Sequence, residues 1–398
     1  MPFSLTVDNV KHNQVAPLGL ICMESAKELG TQVDRRLQTL YSRIESDNQD
    51  GSSSFMIDAK CPRFQTGDAK GIINQSVRGI DLYILSDFGN YNCTYNMFGQ
   101  TVPMSPDDHF ADIKRIIQAV SGKAYRISII MPNMYGARQH KRAFRESLDC
   151  AVALQELQAM GVSSIITFDA HDPRVQNAIP LMGFDNLMPS YQVLKALITH
   201  VPDLKIDKDS FMVVSPDEGA ISRNVYYASE MGIDMGMYYK RRDYSRIVNG
   251  HNPIVAHEFL GTDLAGKDVL VYDDMIASGE SMLDIAYDLK SRGCRRFFAG
   301  CTYPLFTEGV AKFNKAYEEG IINAVVSTNL TYRRPELREA PWFYEADLSK
   351  YVAYFMAAMN HDMSVNSMLD PHKKIQNLLN AHRSETKEKQ LDLFSEDD

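Results

Sequence analysis

Short apolar runs recur along the chain, each closed by polar or acidic residues. They fall at 80–87 (IDLYILSD), 126–132 (RISIIMP), 163–170 (SSIITFDA), 211–217 (FMVVSPD), 268–274 (DVLVYDD), 295–301 (RRFFAGC) and 322–328 (INAVVST). Apolar runs of this length bounded by turn-forming residues predict buried strands. Between them lie stretches of helical apolar spacing, such as 144–160 and 187–200. That alternation predicts an α/β fold of two domains, each with a mostly parallel central sheet flanked by helices. The expected boundaries are 1–190, 191–370, and a helical, charged tail at 371–398. Several runs end in Asp169 and His171, Asp217, or Asp273 and Asp274, and ligands in open α/β sheets bind at the carboxyl ends of strands.

Composition narrows the class. With 398 residues, 44% of them hydrophobic, the chain can bury more than one core. A net charge of −9 argues against broad nucleic-acid binding. No apolar run approaches the roughly 20 residues needed to cross a bilayer, and no apolar leader stands at the N-terminus. Cys22, Cys61, Cys93, Cys150, Cys294 and Cys301 are scattered without metal-ligand spacing and read as reduced thiols. A cytoplasmic protein with no membrane and no nucleic-acid partner is expected.

The most informative stretch is 268–281, DVLVYDDMIASGES. An apolar strand runs into two carboxylates, then into a loop of small residues opening a helix. Such a loop leaves backbone N–H groups free for an anion such as phosphate. The carboxylates suit vicinal hydroxyls, or a cation bound with them. The plainer alternative is an acidic strand end followed by an ordinary helix cap.

Other segments discriminate. This stretch resembles the phosphoribosyl pyrophosphate motif shared by type I phosphoribosyltransferases and ribose-phosphate pyrophosphokinases. MYGARQHKR (134–142), ITFDAHDPRVQNAI (166–179), VVSPDEGAISR (213–223) and YYKRRD (238–243) resemble segments of the pyrophosphokinases alone, in the same order. The chain is therefore identified as a divergent member of the ribose-phosphate pyrophosphokinase family, with phosphoribosyltransferase-type domains.

The resemblance implies transfer of the pyrophosphoryl group of ATP to the 1-hydroxyl of ribose 5-phosphate. Asp273 and Asp274 would hold the ribose hydroxyls, and Ala277, Ser278, Gly279, Glu280 and Ser281 would wrap the 5-phosphate. Arg138 and Gln139 would take ATP, with local positive charge added by His140, Lys141 and Arg142. A neighbouring subunit's loop, here with Phe64, Thr66 and Asp68, would meet the adenine, although Phe64 as plain core stays open. His171 and Asp217 would anchor Mg²⁺, and Lys240 and Arg242 would bring catalytic cations from a mobile loop. The family likeness also implies a homo-oligomer built from dimers, up to a hexamer. Family members usually carry Asp-Thr at 277–278 and Gly-Gly-Thr or similar at 279–281, so Ala277 and Glu280 are departures. A catalytically weak regulatory subunit and a type I phosphoribosyltransferase are the competing readings. Gly261–Lys267 mimics a P-loop but precedes a strand instead of following one, and is rejected.

Overall fold

The computed structural model describes residues 14–44, 53–142, 144–242 and 254–395, with side chains at 43–44, 240–242, 254–257 and 385–395 outside the description. The chain divides into two compact units. The first holds residues up to Pro189 together with Asn329–Tyr332 and Asp347–Asp370, and the second holds Ser190–Thr328, Arg333–Ala346 and Pro371–Asp398.

In the first unit, β1 (Leu18–Cys22) leads into α1 (Lys27–Ile44). A small ladder of β2 (Ala59–Lys60) and β3 (Ile72–Ile73) precedes β4 (Asp81–Leu85), and β5 (Thr94–Met97) and β6 (Gln100–Pro103) form a hairpin. Next come α2 (Pro106–Val120), β7 (Arg126–Ile130), α3 (Asp149–Ala159), β8 (Ser164–Phe168) and β9 (Gly183–Leu187). The α2 start is encoded locally. Ser105 and Asp108 cap each other's backbone N–H, and proline occupies the first turn, where its missing N–H costs nothing. The sheet runs β1-β4-β7-β8-β9, every pairing parallel. All but the edge strand β9 are buried on both faces, which explains their apolar runs.

The second unit begins with α4 (Ser190–His200), β10 (Phe211–Ser215), α5 (Ile221–Met231), β11 (Asp234–Arg242) and β12 (Ile254–Leu260). It continues through β13 (Asp268–Ile276), α6 (Glu280–Ser291), β14 (Arg296–Pro304), α7 (Ala311–Glu318), β15 (Ala324–Thr328), α8 (Pro335–Arg338) and β16 (Phe343–Ala346). The sheet order is β12-β11-β10-β13-β14-β15-β16, parallel except for the β11–β12 pair.

The chain then returns to the first unit as α9 (Ser349–Asn360) and α10 (Asn366–Leu369), before α11 (His372–Ser395) joins the second. The break between Pro189 and Ser190 lies beside the expected 190/191 boundary, whereas the later segments are shared out differently. The cause is packing. Leu29, Val33, Leu37, Leu40 and Tyr41 form the buried stripe of α1, and α9 covers α1 with a largely buried face of its own. Asn360 at the end of α9 donates to the Asp81 carboxylate, on which Arg126 also forks at 2.6 and 2.9 Å. The start of α11 packs on the second unit: His382 is buried and bonds the Leu204 carbonyl at 2.6 Å.

Candidate functional site

In the second unit, register brings the carboxylates together. β10 and β13 are parallel neighbours with Val214 opposite Val271, so Asp217 and Asp274 each lie three residues beyond a paired position. Asp217 is fixed by its turn, its Oδ1 accepting the N–H groups of Gly219 at 2.9 Å and Ala220 at 3.2 Å. Asn224, fully buried in α5, ties the two strand ends: its amide donates to the Tyr272 carbonyl at 2.8 Å and its oxygen accepts the Tyr272 N–H at 3.3 Å.

Asp273 and Asp274 belong to β13 itself, which runs on to Ile276. Asp274 is 3% exposed, with an Arg223 nitrogen 4.0 Å from its carboxylate. The Asp273 carboxyl is raised far above the usual range, first by burial and then by the charges of Asp274 and Asp217. Converging anions of this kind call for hydrogen-bond donors or a cation from a ligand.

The loop after β13 is three residues long. The Ala277 carbonyl accepts the Thr307 N–H at 2.9 Å, and Ser278 Oγ lies 3.4 Å from the Glu280 amide. Gly279 stands at the cap of α6 with φ of 82° and supplies no side chain to the helix N–H groups. A Cβ there would come within 2.3 Å of the buried Phe313 ring, and positive φ already disfavours one. Glu280 and Ser281 are exposed on the first turn. This arrangement offers uncapped backbone donors beside paired acids, the chemistry a sugar phosphate presents in mirror image.

In the first unit, the 134–142 loop and the end of β8 meet. Gln139 donates to the Ser147 carbonyl at 2.8 Å, while Arg138 is exposed. Asp169 closes β8 with φ of 38°, a backbone state uncommon for residues other than glycine and concentrated at functional sites. His171 is exposed beyond it, its ring centre 5.1 Å from that of His140. His140 was expected to add positive charge. Instead its pKa is lowered by burial and by His171, so the ring is neutral at pH 7. Asp172 is gripped by Arg174, which holds its carboxyl down at about 2.

Phe64 is 53% exposed on a tight loop, which removes the reading of it as core. Thr66 donates to Asp68 at 2.9 Å on the same loop. Lys240 and Arg242 lie at the end of β11; their side chains and the loop 243–253 fall outside the described residues. A cavity of about 800 Å³ in the first unit is lined by Ser25, Arg63, Asn90, Tyr95 and His109, among others, and by none of the expected site residues. Arg223 and Asn224 were not singled out from sequence. The available signal was a lone Asn on the apolar face of an amphipathic helix.

Of the two residues expected to take Mg²⁺, the Asp217 carboxylate suits that ion, whereas the His171 imidazole is not one of its preferred oxygen ligands. Asp217 supplies a hard oxygen beside the Asp273–Asp274 acids, and Mg²⁺ uses few protein ligands together with substrate oxygens and waters. Among the described residues no preformed cage of three or more His, Cys, Asp or Glu side chains exists.

Strand-end carboxylates next to an uncapped glycine loop, on the mostly parallel sheet of the second unit, are features of the phosphoribosyltransferase class. Residues 18–161 match the N-terminal domain of ribose phosphate pyrophosphokinase, and 185–316 match the phosphoribosyl transferase domain. The chain belongs to the ribose-phosphate pyrophosphokinase family. It is 28% identical over 315 residues to the ribose-phosphate pyrophosphokinase of Pasteurella multocida, covering 78% of this chain and 90% of that one. The Chlorobaculum tepidum ribose-phosphate pyrophosphokinase is 28% identical over 270 residues, covering 67% and 75%. The crystal structure of phosphoribosylpyrophosphate synthetase from Mycobacterium smegmatis shares the fold, with a TM-score of 0.70 at 19% identity over 87% of this chain and 99% of that one.

Proposed function

We propose that this chain is a ribose-phosphate pyrophosphokinase, moving the pyrophosphoryl group of ATP to the 1-hydroxyl of ribose 5-phosphate and releasing AMP. The observation that carries this is the acid pair beside the α6 cap, Asp274 buried and Asp273 half-buried, in a chain that matches the N-terminal domain of that family and a phosphoribosyl transferase domain. The reaction needs placement and charge neutralisation more than covalent chemistry.

Asp273 and Asp274 accept the ribose hydroxyls, which supply the donors those buried acids require. Residues 277–281 hold the 5-phosphate through backbone N–H groups and the hydroxyls of Ser278 and Ser281. Arg138 and Gln139 take ATP phosphates, and Phe64, with Thr66 and Asp68, is the exposed surface for adenine. Lys240 and Arg242 answer the charge that develops in transfer. Magnesium binding is assigned to His171 in one unit and to Asp217 in the other, and the ion when bound would neutralise phosphate oxygens. The protein is read as a cytoplasmic homo-oligomer built from dimers.

The test incubates the purified chain with ATP, ribose 5-phosphate and Mg²⁺ and follows AMP and phosphoribosyl pyrophosphate. Stoichiometric formation of both supports the reading. No AMP above background at millimolar substrates overturns it.

A further inference from the structure

The β5–β6 hairpin closes through Phe98 and Gly99, between the paired residues Met97 and Gln100. Both turn residues have positive φ, 50° at Phe98 and 77° at Gly99. A two-residue turn of that kind is the type I′ form, whose first position suits Asn, Asp or Gly. A bulky side chain in the left-handed region is an outlier that its surroundings must hold in place. Packing does not compensate, because Phe98 is 77% exposed. Neither the turn nor the core calls for phenylalanine here.

The hairpin tip is joined to the loop that carries Phe64. The Phe98 N–H donates to the Gln65 carbonyl at 2.9 Å, which sets position 98 beside the residue that follows Phe64. Met97 packs against Gly67, where a Cβ would come within 2.7 Å of its sulfur. The Arg63 guanidinium lies 5.1 Å over the Tyr95 ring and forks onto Asp112 at 2.6 and 3.0 Å. The loop is also tied to itself, Phe64 N–H to the Asp68 carbonyl at 2.7 Å and Gly67 N–H to the Phe64 carbonyl at 2.9 Å. Two exposed aromatics, Phe64 and Phe98, are therefore held on one pinned scaffold. Little freedom is lost when a ligand settles on such a surface.

We propose that Phe98 is a base-contacting residue, forming with Phe64 a two-ring surface for the purine of ATP. The proposal rests on the pyrophosphokinase reading above and adds to it a residue outside the segments that carry the family resemblance. Stacking suits this surface, since a flat ring meets a nucleobase through its π-face without a polar partner. The strained turn keeps a ring where turn chemistry alone would place asparagine.

The test uses the full-length chain and two variants, Phe98→Asn and Phe98→Tyr. ATP with Mg²⁺ is titrated by calorimetry in the absence of ribose 5-phosphate, and Michaelis constants for both substrates are measured beside melting curves. Asparagine fits the turn, so Phe98→Asn should melt higher than the parent and yet bind ATP about tenfold more weakly. The Michaelis constant for ribose 5-phosphate should not follow. Phe98→Tyr, which keeps a ring, should restore most of the ATP affinity. An ATP affinity that Phe98→Asn leaves in place overturns the proposal. So does a lower melting temperature with equal weakening towards both substrates, which would make the ring structural. A changed molar mass in solution with unchanged ATP binding also overturns it and makes Phe98 a contact between copies of the chain. Calorimetry needs no turnover, so a chain that binds ATP through Phe98 but forms no AMP fails only the pyrophosphokinase reading. One that forms AMP while Phe98→Asn keeps its ATP affinity fails only this inference.

Discussion

Asn224 and Tyr272 hold each other by two bonds, the Asn224 amide giving one to the Tyr272 carbonyl at 2.8 Å and accepting one from its N–H at 3.3 Å. A helix is thereby locked to the strand position just before the acid pair. Replacement by Ala leaves buried backbone groups of β13 without their partners, at about 1–3 kcal/mol each. Asn224→Ala should therefore lose roughly 2–4 kcal/mol by urea denaturation and weaken ribose 5-phosphate binding. Unchanged stability would show that the side chain only fills space.

Asp273 gives a pH dependence with a definite sign. Its folded pKa is raised to about 8, against 3.8 for a free carboxyl. Between those values the folded state binds the extra proton, so its contribution to stability is present at low pH and is lost as pH rises towards 8. The ligand-free protein should melt progressively lower from pH 5 to pH 8.5. Asp273→Asn should flatten that slope and raise the neutral-pH melting temperature while abolishing sugar-phosphate binding. A slope that the substitution leaves intact would assign it to other groups.

Gly279→Ala collides with a core ring. The added methyl would lie 2.3 Å from Phe313 in a left-handed backbone, so the loop must shift. We expect a loss of about 1–3 kcal/mol and a Michaelis constant for ribose 5-phosphate at least tenfold higher. Pairing it with Phe313→Leu should recover part of the binding, because the obstruction is that ring. Steady-state kinetics of both variants decide this.

On the proposed role of Lys240 in the transition state, Lys240→Ala should collapse turnover and leave equilibrium binding of ribose 5-phosphate nearly intact. Isothermal titration beside the AMP assay distinguishes the two. Equal loss of both would make the segment structural.

The strands around the site could be read in advance because strands buried on both faces leave unbroken apolar runs, and Asp217, Asp273 and Asp274 close such runs. β1 and β9 were not singled out, and neither were Arg223 and Asn224, which support the strand-end acids. Asn224 looked like any polar residue of an amphipathic helix, for burial depends on what packs over the helix. His140 looked basic because a sequence does not show that a neighbouring imidazole and burial keep it neutral. The sharing of 329–370 between the units was also hidden, since α9 bears the same apolar signature whichever core receives it. The roles of Lys240 and Arg242 rest on the family likeness.

The packing of α1 against α9 has a consequence for biosynthesis. The apolar stripe of a helix ending at Ile44 is covered by one that begins at Ser349. A ribosome adding about 5–20 residues per second needs on the order of 15–60 s to make the cover after the stripe. During that interval the nascent first unit displays a greasy helix face and cannot finish folding. Expression should therefore depend on holding chaperones more than the stability of the finished molecule suggests, and a gene truncated after Pro189 should give aggregate instead of a lone first unit.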